Sequence, residues 1–490
     1  MEFLIIFAII LPVLSGAALL FSKFEEYKEV NNFSTAVIAF TAAVTVVSNI
    51  VNFGKGCSML RLPMSMTLAF SVDALSAVFS TMFVAIWLLV GIYSREYFKT
   101  QPNVKRFMGF YLMALGAVIG VACAANPFTF YTFFEMMSLT SFMFVLNNQS
   151  RNSIAAAKKY IYYSIFGALC GLAAIMAFYG SDLIGTKEFV AGGSLVRELG
   201  GRMPLVALIT FIAIFGFSCK AGMFPLHSWI PYAYVQSPAP ASAVLSGAIA
   251  KTGVLAVIRI VYFVVGADVL RGSWVQFAVL ALSITTIFMG SMMAYKEKLF
   301  QRRVAYSSVS QVSYAVFGVM TLSSLGLAGA ILQIIFHALS KNVLFLTSGA
   351  VTYKTGRAYV NELTGLGKAM PKTFVLFTLA GMSLAGVPLT GGFISKYYLA
   401  QSALSGNFAV LEFIGFVTIM ISALLTAGYI WSVSSKAMFA HKDMEICEKS
   451  DINATMFVPM LILTALIFVI GVCPTAVMDI IGSIVASVGI

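Results

Sequence analysis

Charged residues are scarce in this chain. They make up 10% of its 490 residues, whereas a typical soluble domain contains roughly 25%. Hydrophobic residues make up 60% of the sequence. A chain with so few polar side chains cannot cover its surface with groups that favour water, which excludes a soluble globular fold. The composition instead indicates an integral membrane protein, in which each helical span needs about 20 mostly apolar residues.

The sequence also lacks the ligands that redox cofactors and metal ions require. Its six cysteines form no CxxC pair and have no spacing typical of a metal site, so they are interpreted as small apolar side chains. The chain has no phosphate-binding Walker loop, no convincing dinucleotide fingerprint and no HExxH zinc motif. We therefore expect that it binds no cofactor and no metal ion, and that any redox chemistry belongs to another subunit.

Apolar segments separated by short polar loops follow one another along the whole chain. They predict an all-α integral membrane protein of about fourteen transmembrane helices. The first segment is long enough to remain as a span rather than act as a cleaved signal, and an even number of spans places both termini on one side. The predicted spans are residues 3–22, 34–53, 73–94, 106–124, 128–147, 155–179, 204–229, 240–265, 273–295, 303–322, 325–352, 373–400, 409–438 and 454–488.

The basic residues are unevenly distributed among the loops, which indicates the orientation. The net charge is +12, and most lysines and arginines fall in alternate loops, such as Arg95, Lys99, Lys105 and Arg106 between the third and fourth spans. Loops rich in these residues face the cytoplasm. We therefore expect a multi-pass protein of the plasma (inner) membrane with its N- and C-termini on the outer side. This topology explains the positive charge without nucleic acid as a partner.

Five charged residues lie inside the apolar segments, namely Glu135, Lys220, Lys251, Lys341 and Lys396. A charge at the centre of a transmembrane helix costs about 2.5–3.5 kcal/mol on insertion scales, and such residues commonly mark an ion or proton pathway. The alternative is that some of them snorkel towards the headgroups or form ion pairs that only stabilise the fold.

Two of the predicted spans are interrupted by proline. The seventh contains CKAGMFPLHSWIP at 219–231, and the twelfth contains GVPLTGGFISK at 386–396. Pro225 and Pro388 each remove a backbone donor, and non-helical backbone at this depth is tolerated only inside protein or beside a water-filled cavity. The alternative is a pair of ordinary proline kinks.

The two interruptions lie five spans apart, and each has a lysine beside it. Matching broken helices in two halves of a chain indicate an internal repeat and the ion site between its copies. Because five is an odd number, the second copy is inverted across the membrane. We predict inverted repeats at 106–265 (helices 4–8) and 273–438 (helices 9–13), with helices 7 and 12 broken. Three helices at 1–105 precede them, and a C-terminal helix at 454–490 follows.

Six stretches place polar residues in apolar surroundings in a distinctive pattern. They are SVDALSAVF at 71–79, FEMMSLTSFMFV at 134–145, CKAGMFPLHSWIPYAYVQSPAPASAVLSGAIAKTGVLAVIR at 219–259, RRVAYSSVSQVSY at 302–314, FHALSKNVLFLTSGAV at 336–351 and LAGVPLTGGFISK at 384–396. Together they resemble the antiporter-like, ion-translocating subunits shared by respiratory complex I, energy-converting membrane-bound hydrogenases and Mrp-type cation/proton antiporters. The long block at 219–259 is specific to this family.

The resemblance implies which residues translocate protons. Glu135 matches a glutamate that, in this family, forms an ion pair with the lysine matched by Lys220. Lys396 matches a site that is lysine in some members and glutamate in others. In this family such residues form a hydrated polar axis along the middle of the membrane. The matched positions are Glu135, Lys220, Lys251, His337, Lys341 and Lys396.

Other polar residues are less clearly assigned. Gln333 stands one helical turn before His337, where some members of the family have a second histidine, and it can bridge by hydrogen bonds without titrating. His227 follows Pro225, so it either belongs to a proton inlet or satisfies a carbonyl freed by the break. His441 lies in a charged loop and is expected to be solvated.

Three acidic residues lie near the outer ends of predicted spans, namely Asp73, Glu412 and Asp479. Carboxylates at such positions ordinarily face the membrane interface, so we interpret all three as solvated.

The resemblance implies a proton-translocating, non-redox subunit of a multisubunit oxidoreductase, either complex-I-like or linked to a hydrogenase. Its expected partners are homologous antiporter-like subunits, small membrane subunits, a redox module elsewhere in the complex and the lipid bilayer. The alternatives are a subunit of an Mrp-type Na⁺/H⁺ antiporter, a membrane partner in inorganic-carbon uptake, and a scaffold whose buried charges are structural. A lysine-rich axis favours protons, because Na⁺ prefers oxygen ligands.

Overall fold

The structure is a computed structural model that describes residues 3–24, 26–62, 66–196, 200–406, 408–439 and 451–490. The chain is mostly helical, at 79%. The expectation for His441 concerns a residue outside the described ranges.

The N-terminal part contains three helices and one β-hairpin. The hairpin pairs two antiparallel strands, with Gly56 opposite Ser71 and Leu62 opposite Met66. The sequence did not predict it, because its residues lie between spans and lack their long apolar runs. The elements are α1 (Phe3–Phe21), α2 (Tyr27–Val51), β1 (Gly56–Leu62), β2 (Met66–Ser71) and α3 (Ala74–Tyr97).

The next part of the chain contains the first broken helix. Its longest helix, α6, packs along α7, which ends where the seventh predicted span is interrupted. The elements are α4 (Val104–Ala122), α5 (Pro127–Val145), α6 (Arg151–Gly180), a 3₁₀ turn (Gly200–Arg202), α7 (Met203–Ala221), α8 (Trp229–Gln236), α9 (Ala239–Val244) and α10 (Ala250–Ile258).

The following part contains the second broken helix and a long helix, α14, that is buried over most of its length. Two further helices follow this part at its C-terminal side. The elements are α11 (Ala267–Leu270), α12 (Trp274–Lys296), α13 (Phe300–Met320), α14 (Ser324–Thr355), a 3₁₀ turn (Val360–Leu363), α15 (Leu366–Ala369), α16 (Pro371–Ala385), α17 (Gly391–Ala403), α18 (Ala409–Met438), α19 (Ala454–Val472) and α20 (Thr475–Ser487).

Twelve helices in the described ranges are long and apolar enough to cross a membrane, so the multi-pass fold is confirmed and the number fourteen stays a prediction. The other two predicted spans coincide with helices that are too polar or too short. Predicted span 303–322 lies on α13, which contains many serine and glutamine residues. The helix tolerates them because it is buried among other helices and does not face lipid. Predicted span 373–400 is divided between α16 and α17.

Both predicted interruptions are present. Helix α7 ends at Gly222, whose φ of 79° is left-handed, and the chain is not helical again until α8. Helix α16 likewise ends at Gly386, with a φ of 90°. Pro225 and Pro388 lie inside the two non-helical segments, where their missing N–H groups break no helical hydrogen bond. The inverted relation of the two halves and their boundaries stay a prediction.

The eighth span contains a feature that the sequence did not predict. Two π-helical segments, Leu245–Ile249 and Arg259–Val265, flank α10, and the first of them joins α10 to α9 in a continuous helix. A π-turn widens the helix and redirects backbone carbonyls, and such turns are frequent at functional sites. One of these segments supplies a carbonyl to Lys251, as described below.

Glycine permits a very close approach between α6 and α7. A Cβ on Gly167 would lie 2.5 Å from the carbonyl oxygen of Gly216, and a Cβ on Gly216 would lie 2.5 Å from that of Gly167. Small residues at such crossings let transmembrane helices pack backbone to backbone. The crossing also holds α6 beside the end of α7, where Lys220 lies.

We expect Gly216→Val to separate α6 from α7 and to lower the yield of folded protein, because neither backbone can yield to the added side chain. Gly180→Val is the matched control, since Gly180 ends α6 with open space around it. Thermal unfolding in detergent, followed by size-exclusion chromatography, measures the effect. Equal stability of the two variants would contradict the close approach.

Candidate functional site

Lys220 is buried in the last turn of α7, where three hydroxyl groups surround its ammonium group. Its Nζ donates to Tyr160 Oη at 2.7 Å, to Ser164 Oγ at 2.9 Å and to Ser138 Oγ at 3.0 Å. An ammonium group has three protons to donate. All three are therefore used on uncharged acceptors from α5 and α6.

Glu135 lies one helical turn before Ser138 on α5, but it does not pair with Lys220 in this structure. The ion pairs within 4.0 Å among the described residues do not include Glu135, and its buried Oε1 has no hydrogen-bond partner. The ion pair implied by the resemblance is thus absent here. The physical reason is that the three hydroxyl groups already accept the protons of Lys220.

Lys251 and His337 are joined by a nitrogen–nitrogen hydrogen bond in the interior. Lys251 Nζ lies 2.5 Å from His337 Nδ1 and donates to the carbonyl oxygen of Ser246 at 2.7 Å. That carbonyl belongs to the first π-helical segment. Two nitrogens at this distance share one proton, so when Lys251 donates it the Nδ1 atom accepts and the imidazole proton lies on Nε2. His337 Nε2 is buried without a hydrogen-bond partner.

Lys341 lies one turn after His337 on α14, so both project from one face of that helix. Its Nζ donates to the carbonyl oxygen of Val304 at 2.8 Å and to Ser307 Oγ. Both acceptors belong to α13, so this buried helix supplies the hydrogen-bond partners of Lys341. The sequence predicted the lysine, and the structure identifies its acceptors.

Lys396 lies in the first half of α17, after the break, and its Nζ donates to the carbonyl oxygen of Leu384. This carbonyl belongs to the last turn of α16, where helical carbonyls lose their intrahelical partners. The second break therefore supplies the acceptor for the lysine beside it.

An amide chain connects α13, α14 and α17 beside this lysine. Gln333 Nε2 donates to Gln311 Oε1 at 2.9 Å, and Ser395 Oγ donates to Gln333 Oε1 at 2.7 Å. Gln333 thus bridges by hydrogen bonds. Sequence reasoning missed Gln311, although an amide in the middle of an apolar segment was a usable signal.

A narrow gap separates His337 from Lys396. Both side chains line it, and its other polar lining residues come from α13, α14 and α16. Ser340 Oγ has no hydrogen-bond partner, like His337 Nε2. The polar residues along the gap are Gln311, Gln333, His337, Ser340, Ser383 and Lys396.

His227 lies in the non-helical segment after α7 and is not hydrogen-bonded to Lys220. Its ring stacks on Phe224, with ring centroids 5.9 Å apart, and its buried Nδ1 has no partner. Nearby, Ser228 Oγ donates to Tyr163 Oη at 2.8 Å. No described contact links His227 to a freed carbonyl, so its role as part of an inlet stays a prediction.

Asp73 is partly solvated, as expected for a carboxylate near the interface, with 39% of its side chain exposed, but it also forms a bidentate ion pair with the buried Arg259, which the sequence did not predict. Arg259 Nη1 lies 2.5 Å from Asp73 Oδ2 and Nη2 lies 3.0 Å from Oδ1. The Asp73 carboxylate also caps α3 by accepting from the backbone N–H of Ser76. Burial by itself would raise the pKa of Asp73, but the charge and hydrogen bonds of Arg259 outweigh it and lower the pKa below 3.8.

The other two acids at the outer ends of spans differ from each other. Asp479 is exposed on α20, as expected for a solvated carboxylate. The expectation for Glu412 is wrong, since this residue is fully buried in the first turn of α18. The sequence alone does not distinguish the buried Glu412 from the exposed Asp479, because both simply stand near the end of an apolar segment.

Two family descriptions match the sequence. One, the transmembrane part of "NADH:quinone oxidoreductase/Mrp antiporter", matches residues 124–422. The other, "NADH-Ubiquinone oxidoreductase (complex I), chain 5 N-terminus", matches residues 62–108. The chain belongs to the NADH:quinone oxidoreductase/Mrp antiporter family. All of the buried lysines and His337 lie within the first matched range, which confirms the resemblance noted in the sequence.

Relatives in this family have several roles. NADH-quinone oxidoreductase subunit N of Desulforudis audaxviator is 31% identical over 76% of this chain and 75% of its own length. A Na⁺/H⁺ antiporter subunit of Alkalihalophilus pseudofirmus is 27% identical over 84% of this chain and 83% of its own length. Respiratory complex I from Thermus thermophilus contains a chain with the same fold, with a TM-score of 0.82 and 20% identity over 99% of this chain and 100% of that one.

We expect Asp73→Asn to lower the free energy of unfolding by about 1–2 kcal/mol, because it leaves the buried Arg259 guanidinium without a counter-charge, while solvent at the partly exposed Asp73 screens the pair. Asp268→Asn is the control, since the Asp268 side chain is 90% exposed and its pair with Arg271 contributes little. Denaturation in detergent measures both variants. Equal losses would contradict a stabilising role for the Asp73 pair.

The same pair predicts a pH dependence. The folded pKa of Asp73 is lowered, so its contribution is complete above the ordinary value of 3.8 and is lost as the pH falls through the folded pKa. The stability difference between the parent and Asp73→Asn is therefore expected to shrink in acid and to stay constant above neutrality. A difference that grows in acid would contradict this assignment.

Proposed function

We propose that the chain is a proton-translocating subunit of a multisubunit, redox-driven membrane complex of the complex I or membrane-bound hydrogenase kind. The observation that supports this most is a set of buried amines whose acceptors are uncharged. Lys220, Lys251, Lys341 and Lys396 all donate to hydroxyl, carbonyl or imidazole acceptors. Groups without a fixed counter-charge can bind and release a proton without stranding an opposite charge.

The first step concerns Lys220. A nearby carboxylate favours the charged form of a lysine, and burial without one favours the neutral form. Glu135 has an unpartnered oxygen and lies on the same helix as Ser138, one of the three acceptors of Lys220. An approach of Glu135 therefore strengthens the hold of Lys220 on its proton, and a withdrawal of Glu135 favours transfer of that proton to the next carrier.

The second step takes the proton from Lys220 to Lys251. The backbones of α7 and α10 touch here, since a Cβ on Gly253 would lie 3.2 Å from Lys220 Cβ and 2.8 Å from the carbonyl oxygen of Phe217. Lys251 is two residues before this contact. We infer that ordered waters, which buried polar groups commonly hold, connect the two amines.

The third step uses the two nitrogens of His337. A proton that passes from Lys251 to Nδ1 makes the ring cationic, and the ring then loses its other proton from Nε2. The unpartnered Nε2 and the lining of the gap support transfer towards Lys396. Imidazole thus moves a proton across its own width without moving its ring. Nitrogen groups suit protons rather than Na⁺, which prefers oxygen ligands.

The partners follow from the outer surface and from the relatives. Large apolar side chains on α18 and α19 are more than half exposed, among them Leu424, Trp431 and Val469. They must meet lipid or other membrane subunits. We infer that homologous and small membrane subunits flank the chain, that the redox module lies elsewhere in the complex, and that both termini face the outside of the plasma membrane.

A second candidate is a subunit of an Mrp-type Na⁺/H⁺ antiporter. The 27% identity to the Na⁺/H⁺ antiporter subunit of Alkalihalophilus pseudofirmus, over 84% of this chain, favours it. The same buried amines would then move the proton in exchange for Na⁺. Dependence of proton movement on an electron donor separates this candidate from the redox-driven one.

We expect Lys220→Ala to abolish proton pumping by the assembled complex, because the path loses its first carrier. Glu135→Gln is expected to reduce pumping strongly, since Lys220 then lacks the group that strengthens its hold on the proton. Lys28→Ala, at an exposed lysine of α2, is the control. Acidification of vesicles and the amount of assembled complex are measured together.

The double variant Glu135→Gln/Lys220→Met separates proton transfer from structure. If the two residues only stabilise the fold, the single variants impair assembly and the double variant restores both assembly and pumping. Transfer through Lys220 instead requires that the double variant assembles but does not pump. Parent-like pumping by the double variant would overturn the proposed function.

The acceptors of Lys220 give a finer test. We expect Tyr160→Phe to slow pumping, because it removes the hydroxyl that lies 2.7 Å from Nζ. Tyr162→Phe is the matched control on the same helix, since its side chain is 67% exposed. The measurement compares initial pumping rates of the two variants at equal amounts of assembled complex. Identical rates would show that the Tyr160 hydroxyl plays no part in proton transfer.

A further inference from the structure

Arg259 differs from the buried lysines because its proton is fixed. A guanidinium group keeps its proton in proteins, whereas an amine or an imidazole can release one. The Arg259 side chain is 3% exposed and that of its partner Asp73 is 39% exposed, so the positive end of this ion pair faces the interior. Arg259 therefore cannot carry a proton, and its charge opposes the passage of a cation beside it.

Contacts on several sides hold this guanidinium group in place. Its Nη2 donates to Ser76 Oγ at 3.0 Å, in addition to the two contacts with Asp73. Its Cζ lies 4.5 Å from the ring centroid of Phe263 and 5.2 Å from that of Phe189, and aromatic rings attract a cation at such distances. The charge therefore stays at one position near the outer end of the eighth span.

The outer loop that carries Phe189 is tied to the same span. The N–H group of Val190 donates to the carbonyl oxygen of Phe263 at 3.1 Å, and that of Ser194 donates to the carbonyl oxygen of Val264 at 2.8 Å. Both carbonyls belong to the second π-helical segment, at the end of the helix, where backbone carbonyls lose their intrahelical partners. Backbone hydrogen bonds thus hold the loop beside the guanidinium group.

Aromatic rings fill the space between Arg259 and Lys220. Lys220 Nζ lies 5.9 Å from the ring centroid of Phe134, and the rings of Phe134 and Phe217 pack edge to face with their centroids 5.3 Å apart. Phe217 and Arg259 line one gap of about 10 Å³, whose other lining residues are apolar. A single water needs about 10–15 Å³, so this gap has no room for a chain of waters.

The first two carriers of the proposed path lie on the inner side of these residues. Lys251 is on the same span as Arg259, eight residues before it and so about 12 Å deeper. Lys220 is in the last turn of α7, one turn after Phe217. A proton returning along this side of the protein would meet the ion pair and the gap before either amine. Apolar constrictions that exclude water and fixed positive charges both block cations in membrane pores.

We propose that Arg259 and the aromatic rings packed against it form an outer barrier, which keeps protons outside the membrane from returning to Lys220 and Lys251. The gap excludes water, and the fixed charge repels a cation that enters it. The ion pair with Asp73 thus has a function beyond its contribution to stability. This inference rests on the proposed function, because a barrier is needed only if these lysines carry protons.

The test uses the complete complex in everted membrane vesicles, whose interior corresponds to the outside of the cell. The interior is acidified without an electron donor, and the decay of the pH gradient is compared with that in vesicles that lack the complex. We expect Arg259→Met, which removes the charge, to assemble and to accelerate the decay about tenfold, since a unit charge acting over about 10 Å of protein changes a rate by that order. Parent-like decay in Arg259→Met would overturn the inference.

Two further variants isolate the effect of the charge. Arg259→Lys keeps a positive charge beside Asp73 and is expected to restore most of the seal, which a role limited to bidentate binding would not do. Arg271→Gln removes an outer arginine whose side chain is 40% exposed, and its decay is expected to match the parent. Decay as fast in Arg259→Lys as in Arg259→Met would overturn the role assigned to the charge.

Another variant covers the case in which Arg259→Met does not assemble. Phe217→Ala leaves the ion pair intact but enlarges the gap, so we expect it to accelerate the decay. Phe277→Ala, at a phenylalanine of α12 that is 48% exposed, is the control. Parent-like decay in Phe217→Ala would then overturn the inference.

The route of the leak separates the barrier from general damage to the protein. Protons that return through the path need its amines, so Arg259→Met/Lys220→Met is expected to hold the gradient like the parent. A leak that persists in this double variant would overturn the inference. Parent-like pumping by Lys220→Ala would instead reject the proposed function. Pumping lost in Lys220→Ala together with parent-like decay in Arg259→Met would reject only the barrier.

Discussion

An amine in the interior of a membrane protein must find acceptors for its protons within the protein, and the rest of this structure depends on that requirement. Water is excluded from the bilayer core, so each unsatisfied polar group there costs several kcal/mol. Lys220 meets the requirement with three hydroxyl groups, and Lys251 meets it with a carbonyl and the imidazole of His337. Because these acceptors are neutral, the amines stay buried without fixed counter-charges. That condition distinguishes a proton carrier from a structural ion pair such as Asp73–Arg259.

The irregular parts of the helices supply several of these acceptors. The break after α16 frees the carbonyl of Leu384 for Lys396, and the first π-helical segment contains the carbonyl of Ser246 that accepts from Lys251. Regular helices would use the same carbonyls for their own hydrogen bonds. Proline, glycine and π-turns therefore have a chemical role here, since they create polar groups at depths where apolar side chains otherwise dominate. The close approach of α6 and α7 through Gly167 and Gly216 adds acceptors from neighbouring helices.

Much of the fold was predictable from the sequence, because the apolar runs and the two proline-containing breaks are strong signals that depend only on residues close together in the chain. The buried lysines were equally clear, since charge in an apolar segment stands out. The hydrogen-bond acceptors of these lysines could not be predicted, because a bond such as that between Lys220 and Tyr160 depends on how helices distant in sequence pack against each other. The expected pair of Glu135 and Lys220 is absent for the same reason. The burial of Glu412 depends on the turn that contains Gly406, which no periodicity reveals.

Replacement of Lys251 by methionine tests most directly whether the buried amines carry protons. Methionine fills a similar volume without a titratable group, so the packing around α10 and α14 is retained. Proton pumping and assembly are measured on the same vesicles from cells that carry the complete complex. Transfer through Lys251 and His337 predicts a Lys251→Met complex that assembles in parent-like amounts and does not acidify the vesicles. Parent-like acidification by that variant would contradict proton transfer along these residues.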